Sequence, residues 1–260
     1  MSHGTVITQF EGELAIITLN RPEKRNALSP ELIDDLMAAF ASVEEGPSRV
    51  AILTGAGAAF CAGMDLAALR KLADQTPAEN LVDARRTVGL FRRVWSFPKP
   101  LIAAVNGAAV AGGCGLATFC DFTLASEDAK FGYPEVHIGF MPALISAFLQ
   151  LQVGEKVARD LLLTGRIFGV AEAREMGLVN RVVPDGQVLA AARELAAELM
   201  TNSPHSLLTT KRLLVRVAQD ELDRRLELGV AESIAIRETP ELREGLTAFL
   251  EKRKPNWSKQ

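Results

Sequence analysis

Residues 101–120 read LIAAVNGAAVAGGCGLATFC, a run with no charged residue that is as long as a membrane-crossing helix. Five turn-forming residues argue against a single span. Asn106, Gly107, Gly112, Gly113 and Gly115 divide the run into a β-rich piece, Leu101–Val105, and a small-residue helix, Gly112–Phe119. The reading is a buried strand, an uncharged turn and a buried helix. A backbone turn inside a core must direct its amides at something other than solvent, so this turn is a candidate binding element.

The same alternation extends outward. Upstream, Val6–Gln9 and Leu14–Leu19 form a hairpin across Glu11-Gly12-Glu13. Ser29 then caps, and Pro30 opens, a helix carrying Leu32, Ile33, Leu36, Met37 and Phe40, which ends near Gly46-Pro47. Val50–Leu53 is a short buried strand, Thr54–Gly63 a Gly/Ala loop, Asp65–Leu72 a short helix and Pro77–Trp95 a longer one stopped by Pro98 and Pro100. Downstream, Phe122–Ala125 is another strand. Beyond Pro142 the pattern is mostly helical: Ala143–Gln152, Glu155–Leu163, Val170–Met176, a strand at Val179–Val183, and helices from about Gly186 onward. Strands alternating with helices predict an α/β class, with residues 1–200 as the core and residues 201–260 as a helical region. In the last helix Leu242, Leu246, Phe249 and Leu250 make an apolar stripe, fit for the chain's own core or for a subunit contact.

Composition narrows the function. With 260 residues, 48% apolar and 23% charged, the chain is an ordinary globular protein, neither disordered nor fibrous. A net charge of −3 leaves no basic footprint for nucleic acid, so a small molecule or a protein is the expected partner. Cys61, Cys114 and Cys120 suit buried thiols in a reducing compartment, and MSHGTVITQFEGELAI has no basic-then-apolar leader pattern; the expected location is cytoplasmic. His3, His137 and His205 are too scattered to suggest a metal site. Gly55-Ala56-Gly57 is followed by Phe60 where a dinucleotide fingerprint needs its third glycine, and neither a P-loop lysine nor a serine elbow is present.

Two glycine-containing turns remain, at residues 60–65 (FCAGMD) and 106–115 (NGAAVAGGCG). Each follows a buried strand and opens onto a helix, so each can present unpaired N–H groups, backed by the helix dipole, to one negative oxygen. The plainer alternative is that the glycines only permit close helix–strand packing.

Five segments in order, NRPEKRNALS (20–29), AFCAGMDL (59–66), PKPLIAAVNGAAVAGGCGLATFCDFTLAS (98–126), AKFGYPEVHIGFMP (129–142) and ARDLLLTGRIFGVAEAREMGLVNRVVP (158–184), resemble the enoyl-CoA hydratase/isomerase (crotonase) family. The resemblance runs from Val6 to the closing FLEKRKPNW. It implies a crotonase-like spiral of ββα units, a helical C-terminal region that assembles a homotrimer or a hexamer built as a dimer of trimers, an acyl-CoA substrate, and no metal or organic cofactor. It also implies that the Met64 and Gly112 amides form an oxyanion hole. Chemistry at Cα or Cβ of a thioester pushes charge onto the carbonyl oxygen, which two fixed donors stabilise. Arg25, Asn26, Ala27 and Leu28, with Ala62, Asp65 and Leu66, resemble the CoA-facing set.

Glu135 stands at the family's catalytic position, where an apolar pocket would raise its pKa toward neutrality and suit it to proton transfer. Gly115 stands where family hydratases carry a second glutamate. His137 would share the face of Glu135 if that segment were extended. The Met141-Pro142-Ala143-Leu144-Ile145 run and Gly115 resemble bacterial methylglutaconyl-CoA hydratase-like members, which share the glycine and the Pro-Ala turn. The resemblance therefore implies a hydratase of short or branched 2-enoyl thioesters, with a single-base Δ3,Δ2-enoyl-CoA isomerase and a non-catalytic acyl-CoA-binding protein as the open alternatives.

Overall fold

In the computed structural model, residues 2–72 and 74–259 are described. The chain begins with β1 (Ser2–His3), β2 (Val6–Glu11), β3 (Leu14–Leu19) and α1 (Pro30–Glu45), whose first turn is capped by Ser29 with Pro30 at its opening position. Three units then follow the same plan. The first runs β4 (Val50–Gly55), β5 (Ala59–Cys61), α2 (Leu66–Lys71) and α3 (Pro77–Trp95); the second runs β6 (Leu101–Val105), β7 (Ala108–Val110) and α4 (Gly112–Thr118). The third runs β8 (Phe122–Ser126), β9 (Lys130–Gly132), a 3-10 turn at Pro134–Ile138, and α5 (Ala143–Thr164). Next come β10 (Ile167–Gly169), α6 (Val170–Glu175), β11 (Arg181–Val183), α7 (Val188–Met200), α8 (Pro204–Ala235) and α9 (Pro240–Leu250).

Each unit gives its first strand to a seven-stranded sheet ordered β1-β2-β3-β4-β6-β8-β11 and its second to a four-stranded sheet ordered β10-β9-β7-β5. Pairing within the spiral is parallel, as successive turns of one winding require; only β1–β2, β2–β3 and β9–β10 are antiparallel. Residues 101–120 form β6, β7 and α4, and among the described residues no helix is long and apolar enough to cross a membrane.

The period-two pattern of the large sheet separates two cores. Ala15, Ile17, Ala51, Leu53, Ala103 and Val105 face the main core with α1, α3 and α4, while Leu14, Ile16, Val50, Ile52, Ile102 and Ala104 face α7. The Gly/Ala stretch expected to be a loop over Thr54–Gly63 contains β5, and the turn expected between Val105 and Gly112 contains β7. The two helices expected over Ala143–Gln152 and Glu155–Leu163 are both present as the two arms of α5, separated by the non-helical Gly154 (φ 73, ψ 171). The helical region after residue 200 folds back on the core: Leu222, Leu226 and Val230 of α8 are buried in the main cluster, and Leu242 and Leu246 of α9 are buried against Leu69 and Leu72. Half of the C-terminal stripe is therefore intramolecular core, whereas Phe249 is exposed.

Candidate active site

The turn at residues 60–65 lies alongside Leu28 through an isolated parallel bridge: Leu28 N–H donates to Gly63 O (2.7 Å) and Asp65 N–H donates to Leu28 O (2.9 Å). That pattern passes over Met64, whose own N–H has no acceptor among the described residues. Gly63 takes φ +87°, a conformation that suits glycine, and it abuts the second turn: a Cβ there would sit 2.8 Å from Ala111 Cβ and 3.7 Å from Gly112 N. The two glycine turns are thus in contact.

In the second turn Ala111 has φ 52° and ψ −128°, a strained conformation for a residue with a side chain, and its N–H is fixed on Gly132 O (2.8 Å). Its carbonyl accepts from Cys114 and Gly115 N–H, the first bonds of α4, so the Gly112 N–H ahead of them has no acceptor among the described residues. Two orphan amides on adjacent turns, Gly112 reinforced by the start of α4, can hold one negatively charged oxygen.

Glu135 sits in the 3-10 turn that follows β9. The residue is half-buried, but its Oε2 is sealed from solvent and has no hydrogen-bond partner. Burial pushes its carboxyl up to about 7, against the ordinary 4.5. A carboxyl of that kind exchanges a proton near neutral pH. The buried Cys114 thiol, pushed up to about 12 by burial, and the fully buried Tyr133 phenol both feel its charge and stay neutral. His137 does not join the site; its segment is a 3-10 turn, not extended, and its Nε2 lies 2.9 Å from Thr164 O.

At Gly115 an added Cβ would meet Ile145 Cδ1 at 2.5 Å and Phe119 Cε2 at 3.1 Å. Phe119 stacks on Phe148 at 4.3 Å and meets Phe91 edge-on at 5.5 Å. The place of a second carboxylate is an apolar, aromatic wall, with Ile145 of α5 filling it.

The seven residues of the expected CoA-facing set divide. Arg25 is exposed, at φ 50°, with no ion pair among the described residues, and its carbonyl accepts from Ala62 N–H at 3.0 Å. Asn26 is fully buried and its side chain is spent inside the fold: Oδ1 accepts from Arg21 N–H (2.9 Å), and Nδ2 donates to Ala56 O (2.9 Å) and Ala59 O (2.8 Å). Asp65 is also committed, capping α2 through Ala67 N–H (2.8 Å) and pairing with Arg21 at 3.0 Å. Ala27 and Leu28 are buried, and Leu66 opens α2. Arg21 is the residue that sequence reasoning missed. It binds Asn26, Ala27 O and Asp65 together, and thereby fixes the loop against the Met64 turn. An arginine in a polar turn carries no mark of such a role in sequence.

A family model described as enoyl-CoA hydratase/isomerase matches residues 9–260. The chain belongs to the enoyl-CoA hydratase/isomerase family. A Thermus thermophilus protein that carries the enoyl-CoA hydratase name provisionally is 46% identical over 95% of this chain and 98% of its own length. Crotonyl-CoA hydratase of Syntrophomonas wolfei is 34% identical over 99% of both. The crystal structure of an enoyl-CoA hydratase/isomerase from Xanthobacter autotrophicus Py2 superposes with a TM-score of 0.89 at 33% identity, covering 97% of this chain and 98% of that one. The family's fold, an α/β spiral, is the fold of this chain.

Proposed function

We propose that the protein is an enoyl-CoA hydratase that adds water across the 2,3 double bond of a short or branched acyl-CoA thioester. The Met64 and Gly112 amides hold the thioester oxygen, and Glu135 directs water to Cβ and manages the proton delivered to Cα. The observations that carry this reading are two orphan amides on touching turns and a buried, unpartnered carboxyl whose charge is felt at Cys114, on the helix that Gly112 opens. Charge that develops on the thioester oxygen in the transition state is met by donors already in place, each worth about 2.7–4 kcal/mol. Arg25, an exposed cation of the loop with no ion pair among the described residues, meets the CoA phosphates. The names of the hydratase relatives support the reaction, and the proposed chemistry calls for no cofactor.

The apolar wall at Gly115 favours a second reading, a Δ3,Δ2-enoyl-CoA isomerase, because moving a proton between Cα and Cγ needs only one base. Incubation with crotonyl-, 3-hexenoyl- and 3-methylglutaconyl-CoA in deuterated water, followed by mass analysis, separates the readings. Hydration gives a hydroxyacyl product bearing solvent deuterium; an isomerase gives only label exchange and double-bond migration; thioester binding with neither selects a binding protein. The exposed Leu213, Leu214 and Val217 on α8 support assembly with further copies of this chain, as a trimer or hexamer.

A further inference from the structure

We propose that the last helix, α9, is a positioning element of this site: Gly245, Leu242 and Leu246 fix the Glu135 turn against the Met64 turn, so that carboxylate and amide keep their separation across the reacting atoms. The inference rests on the hydratase reading for the roles of Glu135 and Met64.

The turn that carries Glu135 has no buried residue of its own, and a single 3-10 turn has too few bonds to hold a side chain still. Its support comes from two sides. On one, the end of α5 contacts it through His137 and Thr164 O, and a Cβ at Gly165 would lie 2.7 Å from Val136. On the other, α9 approaches main chain to main chain. A Cβ at Gly245 would sit 2.1 Å from Ile138 O, and one at Gly139 would sit 2.5 Å from Glu241 O. Backbone cannot yield as a side chain tip can, so only glycine allows this contact.

The same helix reaches the other catalytic turn. Leu242 and Leu246 are buried with Leu69 of α2 and Leu72 at its C-terminal cap, and Met64 and Ile138 pack against that cluster. One rigid element therefore touches both turns. Its start is pinned: Thr239 caps it, and just before the cap the buried Arg237 pairs with Asp83 (2.9 Å) and donates to Asn80 Oδ1 (3.1 Å) on α3. The titratable groups facing Glu135 are Cys114 and Tyr133, with His137 on its own turn; α9 presents main chain there, through Glu241.

The test uses full-length Gly245→Ala and Leu246→Ala, with Leu246→Met as the conservative variant and the exposed Thr247→Ala as control. The first readout needs no substrate: the titration of Glu135, followed by infrared difference spectroscopy against Glu135→Gln. The second is kcat and KM on crotonyl-CoA. In Gly245→Ala and Leu246→Ala the Glu135 titration should move down from about 7 as water reaches it. In both, kcat should fall by about 10²-fold, the scale of a 1 Å misplacement, with KM within about threefold. Leu246→Met and Thr247→Ala should stay near the parent. Folded variants with an unmoved titration and an unchanged kcat overturn the proposal. If Gly245→Ala does not fold, Leu246→Ala decides alone. If the parent does not hydrate crotonyl-CoA, the hydratase reading falls, while the titration still decides whether α9 positions Glu135.

Discussion

Replacing Glu135 by Gln should change stability in a way that depends on pH. The carboxyl is held at about 7 in the folded chain against an ordinary 4.5, so the folded state keeps its proton through a range in which the unfolded chain has lost it. Below about pH 4.5 both states are protonated and the group costs nothing. As pH rises toward 7, folding must retain a proton the unfolded chain releases, and each pH unit removes about 1.4 kcal/mol; the full gap amounts to about 3 kcal/mol above neutrality. Glutamine cannot ionise, so the variant escapes this loss. Its buried amide leaves a constant penalty of about 1–3 kcal/mol for unpaired donors, which does not vary with pH. Urea unfolding of both proteins from about pH 4 to pH 8 should therefore show the difference in unfolding free energy shifting toward the variant by about 3 kcal/mol, with every other titrating group cancelling. A difference that stays flat across that range would show that Glu135 is solvated in the folded state and remove the basis for its proton-transfer role.

Asn26→Ala should destabilise by about 3 kcal/mol or more, since Ala56 O, Ala59 O and Arg21 N–H lose a buried partner, while the folded fraction keeps its affinity for CoA thioesters; weakened binding with intact stability would put Asn26 against substrate instead. Gly115→Glu should lower stability by several kcal/mol and give no gain in hydration, because Ile145 and Phe119 occupy its space and offer no hydrogen bond; a stable variant with faster turnover would show that the wall yields. Val217→Glu on the exposed face of α8 should lower the mass seen in sedimentation, and an unchanged mass would place the subunit contact elsewhere.

Much of the spiral could be read from residues alone, because long periodic or β-rich runs state their element directly. Pro77–Trp95 carries its cap, its proline start and its breakers in the sequence, and Leu101–Val105 is a plain buried strand. The second sheet was hidden. Its strands have three residues each, too few for a period, and Ala108–Val110 sits inside a stretch whose small residues signal a turn. The positive φ of Arg25 and Asn26 has no compositional sign, which is why a structural cross-link at Asn26 reads as part of a binding loop. Glu135 was marked by its motif, but the turn that carries it packs against the end of α5 and against α9, both distant in sequence, and Ile145 opposite Gly115 is a contact between residues 30 positions apart. Such long-range meetings are decided by the winding of the chain, and a local pattern does not contain them.

The central claim, that Glu135 is the proton-transfer group of a hydratase, is tested most directly by the turnover of crotonyl-CoA with parent and Glu135→Gln protein, binding of the thioester being measured in parallel. The amide keeps the size of the side chain and leaves the Met64 and Gly112 donors in place, so the rate should fall by about 10²–10⁴ while binding stays near the parent value. A folded Glu135→Gln protein that turns over at close to the parent rate would contradict the account.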